Sequence, residues 1–271
     1  MLYKTDVLTR KADYGRDAVI SPRIYSMDQI KLCFECSQKM RSPISIRVDI
    51  NKYDIKDIAD FTKILDGIYP DAIISLMAEG IKNYEDGVKA CMAGCNGLCF
   101  DPTTPLNDPK AMDEIKKVVK LARALNVSVE TYIEDVDKTD VYSLVKESKV
   151  DMLRVKFGVV TDDNIKEVKR LVNKIREESF VTVSLGEDTP LDDPFRMKDL
   201  VESGCSMLCI YDLFAKACAK AMKVAYDKEP DKKMKALMIY VVWAQNKAFG
   251  DTLDTMRSNL NNNLMHSTGK R

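Results

Sequence analysis

Short runs of apolar, often β-branched residues alternate along the chain with segments whose apolar positions recur every three to four residues, and turn residues mark the junctions. The runs at 17–22, 43–50, 72–77, 97–102, 127–133, 152–158, 181–186 and 207–212 predict eight strands. Between them, 27–40, 55–68, 84–93, 108–125, 140–148, 162–178 and 195–203 predict amphipathic helices. Asn107-Asp108-Pro109 and Thr161-Asp162-Asp163 read as helix starts, because short polar side chains can take up free N–H groups of a first turn. No stretch rich in Pro, Gly or Ser divides the βα units into two groups. The pattern therefore predicts one (β/α)8 TIM barrel of the α/β class rather than two doubly wound halves. No GxGxxG or GxxxxGK[ST] loop is present to suggest nucleotide binding.

Two further helices are predicted after the eighth strand, at 213–228 and 232–248. The second is apolar on much of its surface, with Met234, Leu237, Met238, Tyr240, Val241, Val242 and Trp243. Such a helix has to be covered by the barrel or by another subunit, and a homo-oligomer is expected. Residues 1–250 then form the barrel with its added helices, and 251–271 a polar tail.

Composition narrows the partners. The 271 residues carry 42 Lys plus Arg and 42 Asp plus Glu, a formal charge of zero, so nothing favours nucleic acid or an anionic membrane. The longest apolar run, 236–244, is about half of what a bilayer needs. The first twenty residues include Lys4, Asp6, Arg10, Lys11 and Asp13, which does not read as a signal peptide, and a cytoplasmic location is expected. Eight cysteines then read as reduced, buried thiols. Cys91, Cys95 and Cys99 are spaced like cluster ligands, but the first falls on a predicted helix and the last on the next strand. The sole histidine, His266, lies in the tail, so neither a histidine metal cluster nor a histidine triad is expected.

Candidate chemistry comes from strand alternation, since residues i and i+2 share a face. Strand two places Ser45, Arg47 and Asp49 together, against Ile44, Ile46 and Val48. Strand five groups Ser128, Glu130 and Tyr132, and strand six groups Arg154 and Lys156 against Leu153, Val155 and Phe157. If the apolar faces meet the outer helices, Arg47, Asp49, Glu130, Arg154 and Lys156 point into the barrel, with Asp101 and Asp212 near the mouth. These charges would either fill the barrel as internal ion pairs or serve a ligand. In the second case Arg154 would help keep Lys156 neutral for attack on a carbonyl, unless Arg154 is itself consumed in a pair with Glu130 or Asp49.

Over roughly residues 1–250 the sequence resembles the class II, zinc-dependent fructose-bisphosphate and tagatose-bisphosphate aldolase family. The likeness rests on the opening Leu8-Thr-Arg-Lys-Ala-Asp-Tyr-Gly-Arg-Asp-Ala-Val19, on Arg41-Ser-Pro-Ile-Ser-Ile46, on Tyr84-Glu-Asp-Gly-Val-Lys-Ala90, on Ala93-Gly-Cys-Asn-Gly-Leu-Cys-Phe-Asp-Pro-Thr103, and on Ala122-Arg-Ala-Leu-Asn-Val-Ser-Val-Glu130. The resemblance implies a helix before the first strand and a site at the C-terminal ends of the strands. It departs at the site itself. Ser75-Leu-Met-Ala-Glu-Gly80 replaces the family's histidine and Asp-His pair, leaving Glu79 in place of the acid. Residues 158–161 lack the next histidine, Leu185-Gly-Glu-Asp-Thr189 replaces a histidine followed by glycines, and Leu208-Cys-Ile-Tyr-Asp212 keeps only the final Asp. Glu130, Asp101 and Gly186 are retained.

The expected activity is therefore a metal-independent, cofactor-free carbon–carbon lyase acting on a small ketose or related carbonyl. Lys156 would form a Schiff base, Glu130, Glu79 or Asp49 would move protons, and Arg47, Arg154, Asp101, Gly186 and Asp212 would bind the substrate at the C-terminal mouth. The alternatives are an inactive homologue serving as a binding or assembly subunit, or a sensor of a small polar metabolite.

Overall fold

A computed structural model describes residues 2–15, 17–157, 160–186 and 199–211. Eight parallel strands close in chain order: β1 (Val19–Pro22), β2 (Ile44–Asp49), β3 (Ile74–Ile81), β4 (Gly97–Phe100), β5 (Ser128–Ile133), β6 (Met152–Val155), β7 (Thr182–Leu185) and β8 (Cys205–Ile210), which pairs back with β1. The helices α1 (Thr5–Gly15), α2 (Met27–Met40), α3 (Ile55–Ile68), α4 (Tyr84–Ala93), α5 (Pro109–Ala124), α6 (Val141–Ser148) and α7 (Ile165–Ser179) alternate with them. The expected TIM barrel is the observed fold. Among the described residues no helix is long and apolar enough to cross a membrane.

Local chemistry sets the helix starts. Ser26, Asp54, Asn83, Asp108 and Asp140 each accept a hydrogen bond from a backbone N–H of the first turn, and Pro109 occupies a position whose N–H would have no partner. α7 begins at Ile165 rather than at 162, because Asn164 Oδ1 accepts from the Thr161 N–H at 2.7 Å and shapes a separate turn. α4 ends on Gly94 at φ +105°, a conformation that favours glycine.

Two apolar layers result. Outward side chains such as Ile44, Ile46, Val48, Leu98, Val129, Leu153 and Leu208 pack with the helices. Inward ones, Val19, Met77, Cys99, Met152, Met207 and Cys209, pack with Leu8 and Ala12 of α1. α1 thus closes the N-terminal end of the barrel. Its Thr5 Oγ1 meets Ser75 Oγ at 2.5 Å, its Asp6 N–H donates to Ser128 Oγ at 3.0 Å, and Thr9 meets Thr182 at 3.0 Å. The pattern of apolar positions gave no sign of α1; only the family resemblance implied it.

β3 reaches Ile81, four residues beyond its expected end, because Glu79 lies within the strand rather than in a turn. β6 stops at Val155, short of the expected 158. The seven described cysteines are buried and form no disulfide with one another, with Cys91 on α4 and Cys99 on β4. Asp212, Cys218, His266, the helices expected at 213–228 and 232–248, the tail, and the first part of the helix expected at 195–203 lie outside the described residues.

Candidate functional site

Toward the C-terminal ends of the strands, the inward positions change from sulfur and methyl groups to charges. Arg47 from β2, Glu130 from β5 and Arg154 from β6 are wholly buried there, and Glu79 from β3 is 2% exposed. The alternation that places apolar residues against the helices leaves these side chains only the interior. They meet as one network. Arg47 Nη1 and Nη2 donate to the two Glu130 oxygens at 2.8 and 3.0 Å, Nη1 also reaches Glu79 Oε1 at 3.1 Å, and Nε donates to Ser21 Oγ at 2.7 Å. Arg154 Nη1 donates to Glu79 Oε1 at 2.9 Å and lies 3.9 Å from Glu130 Oε2.

Two residues that the sequence analysis did not single out complete the network above this layer. Arg23, just past β1, donates from Nε to Glu79 Oε2 at 2.7 Å, and its Nη2 lies 2.7 Å from the same oxygen as an ion pair. Tyr211, just past β8, donates its hydroxyl to Glu79 Oε1 at 2.8 Å. The Ser184 hydroxyl from β7 is in very close contact with Glu130 Oε1. Each carboxylate is therefore surrounded by donors. Burial alone would push the Glu79 carboxyl up, but Arg47, Arg154 and Arg23 outweigh it and hold the group at about 2. Burial likewise works against ionised Glu130, and Arg47 with Arg154 again brings its pKa below the ordinary value. A carboxylate so fully engaged makes a poor proton acceptor.

Aromatic rings finish the layer. The Arg154 guanidinium lies 4.8 Å from the Tyr132 ring centre and 4.9 Å from that of Tyr211, and Arg23 lies 3.8 Å from the Tyr211 ring. Arg154 Nε and Nη2 remain buried without a hydrogen-bond partner. Gly186 sits against this edge: a Cβ there would fall 2.6 Å from Nε and 3.1 Å from Nη2.

Two expected interior residues make their ion pairs and hydrogen bonds outside this network. Asp49, at the end of β2, accepts from the Asn51 N–H and amide nitrogen at 3.0 and 3.1 Å, which ties it to its own turn. Lys156 lies beyond β6, partly exposed, with Nζ 3.6 Å from Asp101 and 3.3 Å from Glu134, over the Tyr132 ring at 4.3 Å. The strand ends one residue before it, so the alternation that set its expected direction no longer applies. Arg154 hydrogen-bonds to Glu79 rather than to Glu130 or Asp49, the two partners expected to consume it. Lys156 instead borders a cavity of about 740 Å³ between the loops that follow β4 and β5, lined also by Asp101, Leu106, Tyr132, Glu134 and Asp140.

No protein-family model and no curated protein matches the chain. Solved structures do. The YdjI aldolase from Escherichia coli K12 superposes with a TM-score of 0.78 over 96% of this chain and 98% of that one, at 16% identity. The fructose-bisphosphate aldolase from Campylobacter jejuni gives 0.74 over 96% and 95%, at 12% identity. At these identities the likeness establishes an aldolase-type barrel fold.

Proposed function

We propose that this aldolase-type barrel binds a small polar ligand at its C-terminal mouth without breaking a carbon–carbon bond. The saturation of Glu79 and Glu130 carries the reading. Both candidate interior bases spend their oxygens on guanidinium and hydroxyl donors, and Glu79 would have to shed several charged hydrogen bonds before it could take a proton. Nucleophilic use of Lys156 would require its pairs with Asp101 and Glu134 to open first. The donor set does not fit zinc either. Among the described residues no group of three His, Cys, Asp or Glu side chains could hold a metal, and guanidinium groups surround the carboxylates. The cavity beside Lys156 offers carboxylates, an ammonium and the Tyr132 ring to a polar molecule.

The test is a panel of ketoses and ketose phosphates given to the full chain. Aldehyde release, borohydride trapping with peptide mapping, and thermal stability would be followed in parallel, with zinc content from elemental analysis. The expected result is neither turnover nor adduct, no stoichiometric zinc, and saturable stabilisation by a panel member that Asp101→Asn weakens. Aldehyde release, or an adduct on the Lys156 peptide that Lys156→Met abolishes, would establish the lyase reading instead.

A further inference from the structure

The cavity beside Lys156 is acidic on balance. Among the described residues six carboxylates line it, those of Asp101, Asp113, Glu134, Asp135, Asp140 and Glu147, against the ammonium groups of Lys138 and Lys156. The loops that form it, 101–108 and 134–140, and the helices α5 and α6 behind them are described throughout, while Gly158 and Val159, the undescribed pair that follows Phe157, carry no charge. Half of the negative charge is met. Lys138 pairs with Asp135 at 2.8 Å, Lys116 with Glu147 at 2.5 Å, and Lys156 stands 3.6 Å from Asp101 and 3.3 Å from Glu134, one cation for two anions. Asp140 accepts from the N–H and the hydroxyl of Ser143 at 2.9 and 2.7 Å, both neutral donors. Asp113 feels Lys117 only at longer range, because Lys117 is paired with Glu114 at 2.6 Å.

This acidic wall is held from outside the cavity. Lys174 of α7 donates to the Val136 carbonyl at 3.1 Å, Arg170 donates to Asp137 at 3.0 Å, and Val136 is 2% exposed, so the loop carrying Glu134, Asp135 and Asp140 is anchored although those charges repel. No point cation answers them, since among the described residues no group of three His, Cys, Asp or Glu side chains could hold a metal. The carboxylates are instead distributed around about 740 Å³, in walls that also include Leu106, Met112 and Leu144. Spaced charges with apolar surface in the same walls suit an ammonium carried on a carbon frame.

We propose that the ligand of this cavity is an aliphatic amine in its protonated form, a reading that rests on the binding role proposed above and names the charge of what is bound. An ammonium group brings three donors and a positive charge to carboxylates that lack a cation, whereas a phosphate would meet their surplus negative charge. Two kinds of molecule share this chemistry, an amino-substituted ketose and a linear diamine. Lys156 then competes with the ligand for Asp101 and Glu134.

The experiment is calorimetry on the full chain at pH 7 and constant ionic strength, with a series matched in shape, fructose, fructosamine and a fructose monophosphate, and with putrescine. At least one of the two amines should bind about tenfold more tightly than fructose, and the phosphate most weakly. Fructosamine ahead of putrescine assigns the site to an amino-substituted ketose, and the reverse order to a linear amine. Asp113→Asn combined with Asp140→Asn keeps a cap on α6, because asparagine also accepts there, and should weaken amine binding by about tenfold. Lys156→Met frees both of its carboxylates and should tighten it by about threefold. Fructose or its phosphate binding as tightly as both amines, or amine binding that the two aspartate exchanges leave unaltered, would overturn the charge selection while the binding role stands. If no compound of any charge binds, the binding role falls with it.

Discussion

Replacing Glu79 with glutamine removes the charge on which three guanidinium groups and the Tyr211 hydroxyl converge while keeping the shape of the side chain. Breaking a buried ion pair from one side typically destabilises by about 3–5 kcal/mol, because the partner charges stay buried without compensation. At about 2–4 °C per kcal/mol for a domain of this size, Tm should fall on the order of 10 °C. The pH dependence gives an independent reading. The Glu79 carboxyl is held at about 2 against an ordinary 4.5, so its ionised form favours the folded state. That contribution is complete above pH 4.5 and disappears as the pH falls from 4.5 toward 2, amounting to about 3 kcal/mol. Chemical denaturation of wild type and Glu79→Gln between pH 7 and pH 3 should therefore give two curves that converge as the medium becomes acidic. Two parallel curves, or a variant within about 1 kcal/mol of wild type at pH 7, would refute an ionised, network-bound Glu79.

Lys156→Met should leave the denaturation midpoint within about 1 kcal/mol of wild type, since its ion pairs are partly exposed and such pairs contribute little. Gly97→Ser sets a Cβ 2.3 Å from Thr5 Oγ1 and 3.1 Å from the Met77 methyl; it should cost about 1–3 kcal/mol and raise hydrogen exchange in α1 ahead of the strands. Burial pushes the Cys36 and Cys91 thiols to about 11 and Cys205 to about 12, so maleimide at pH 7 should leave their peptides unlabelled until the protein is unfolded.

What was legible in the sequence followed from periodicity, and what escaped it lay where periodic structure ends. Arg47, Glu130 and Arg154 were found because each sits mid-strand between apolar neighbours whose outward direction is fixed by helix packing. Arg23 and Tyr211 lie one residue past β1 and β8, yet both continue the inward series, Val19 with Ser21 and Met207 with Cys209, and Arg23 still bridges to Arg47. Extending the alternation one step beyond Pro22 would have exposed Arg23, and Tyr211 already lay within the strand expected at 207–212, on the face of Met207 and Cys209. The same extension misplaces Lys156, since the backbone after Val155 is no longer strand. Register alone therefore does not decide such positions; whether a buried partner awaits the side chain does. Glu79 has Arg23, Arg47 and Arg154 awaiting it and joins the network, while Asp49, opposite it in the β2–β3 register, accepts from Asn51.

The remaining question is why charges occupy a barrel that Val, Ile and Leu could fill. If Arg47, Glu79, Glu130 and Arg154 only occupied volume, apolar side chains of similar size would serve at least as well, because removing both members of a buried ion pair also removes the desolvation of each. The variant Arg47→Met, Glu79→Leu, Glu130→Leu, Arg154→Met tests this directly. It keeps the side chains long enough to meet across the barrel and leaves the surplus Arg23, which is partly exposed, to return to water. The expected stability is equal to wild type or higher by about 1–4 kcal/mol. Ligands of the Lys156 cavity should still bind. A variant that fails to fold, while each single apolar exchange outside the network is tolerated, would make the charges a requirement of the fold.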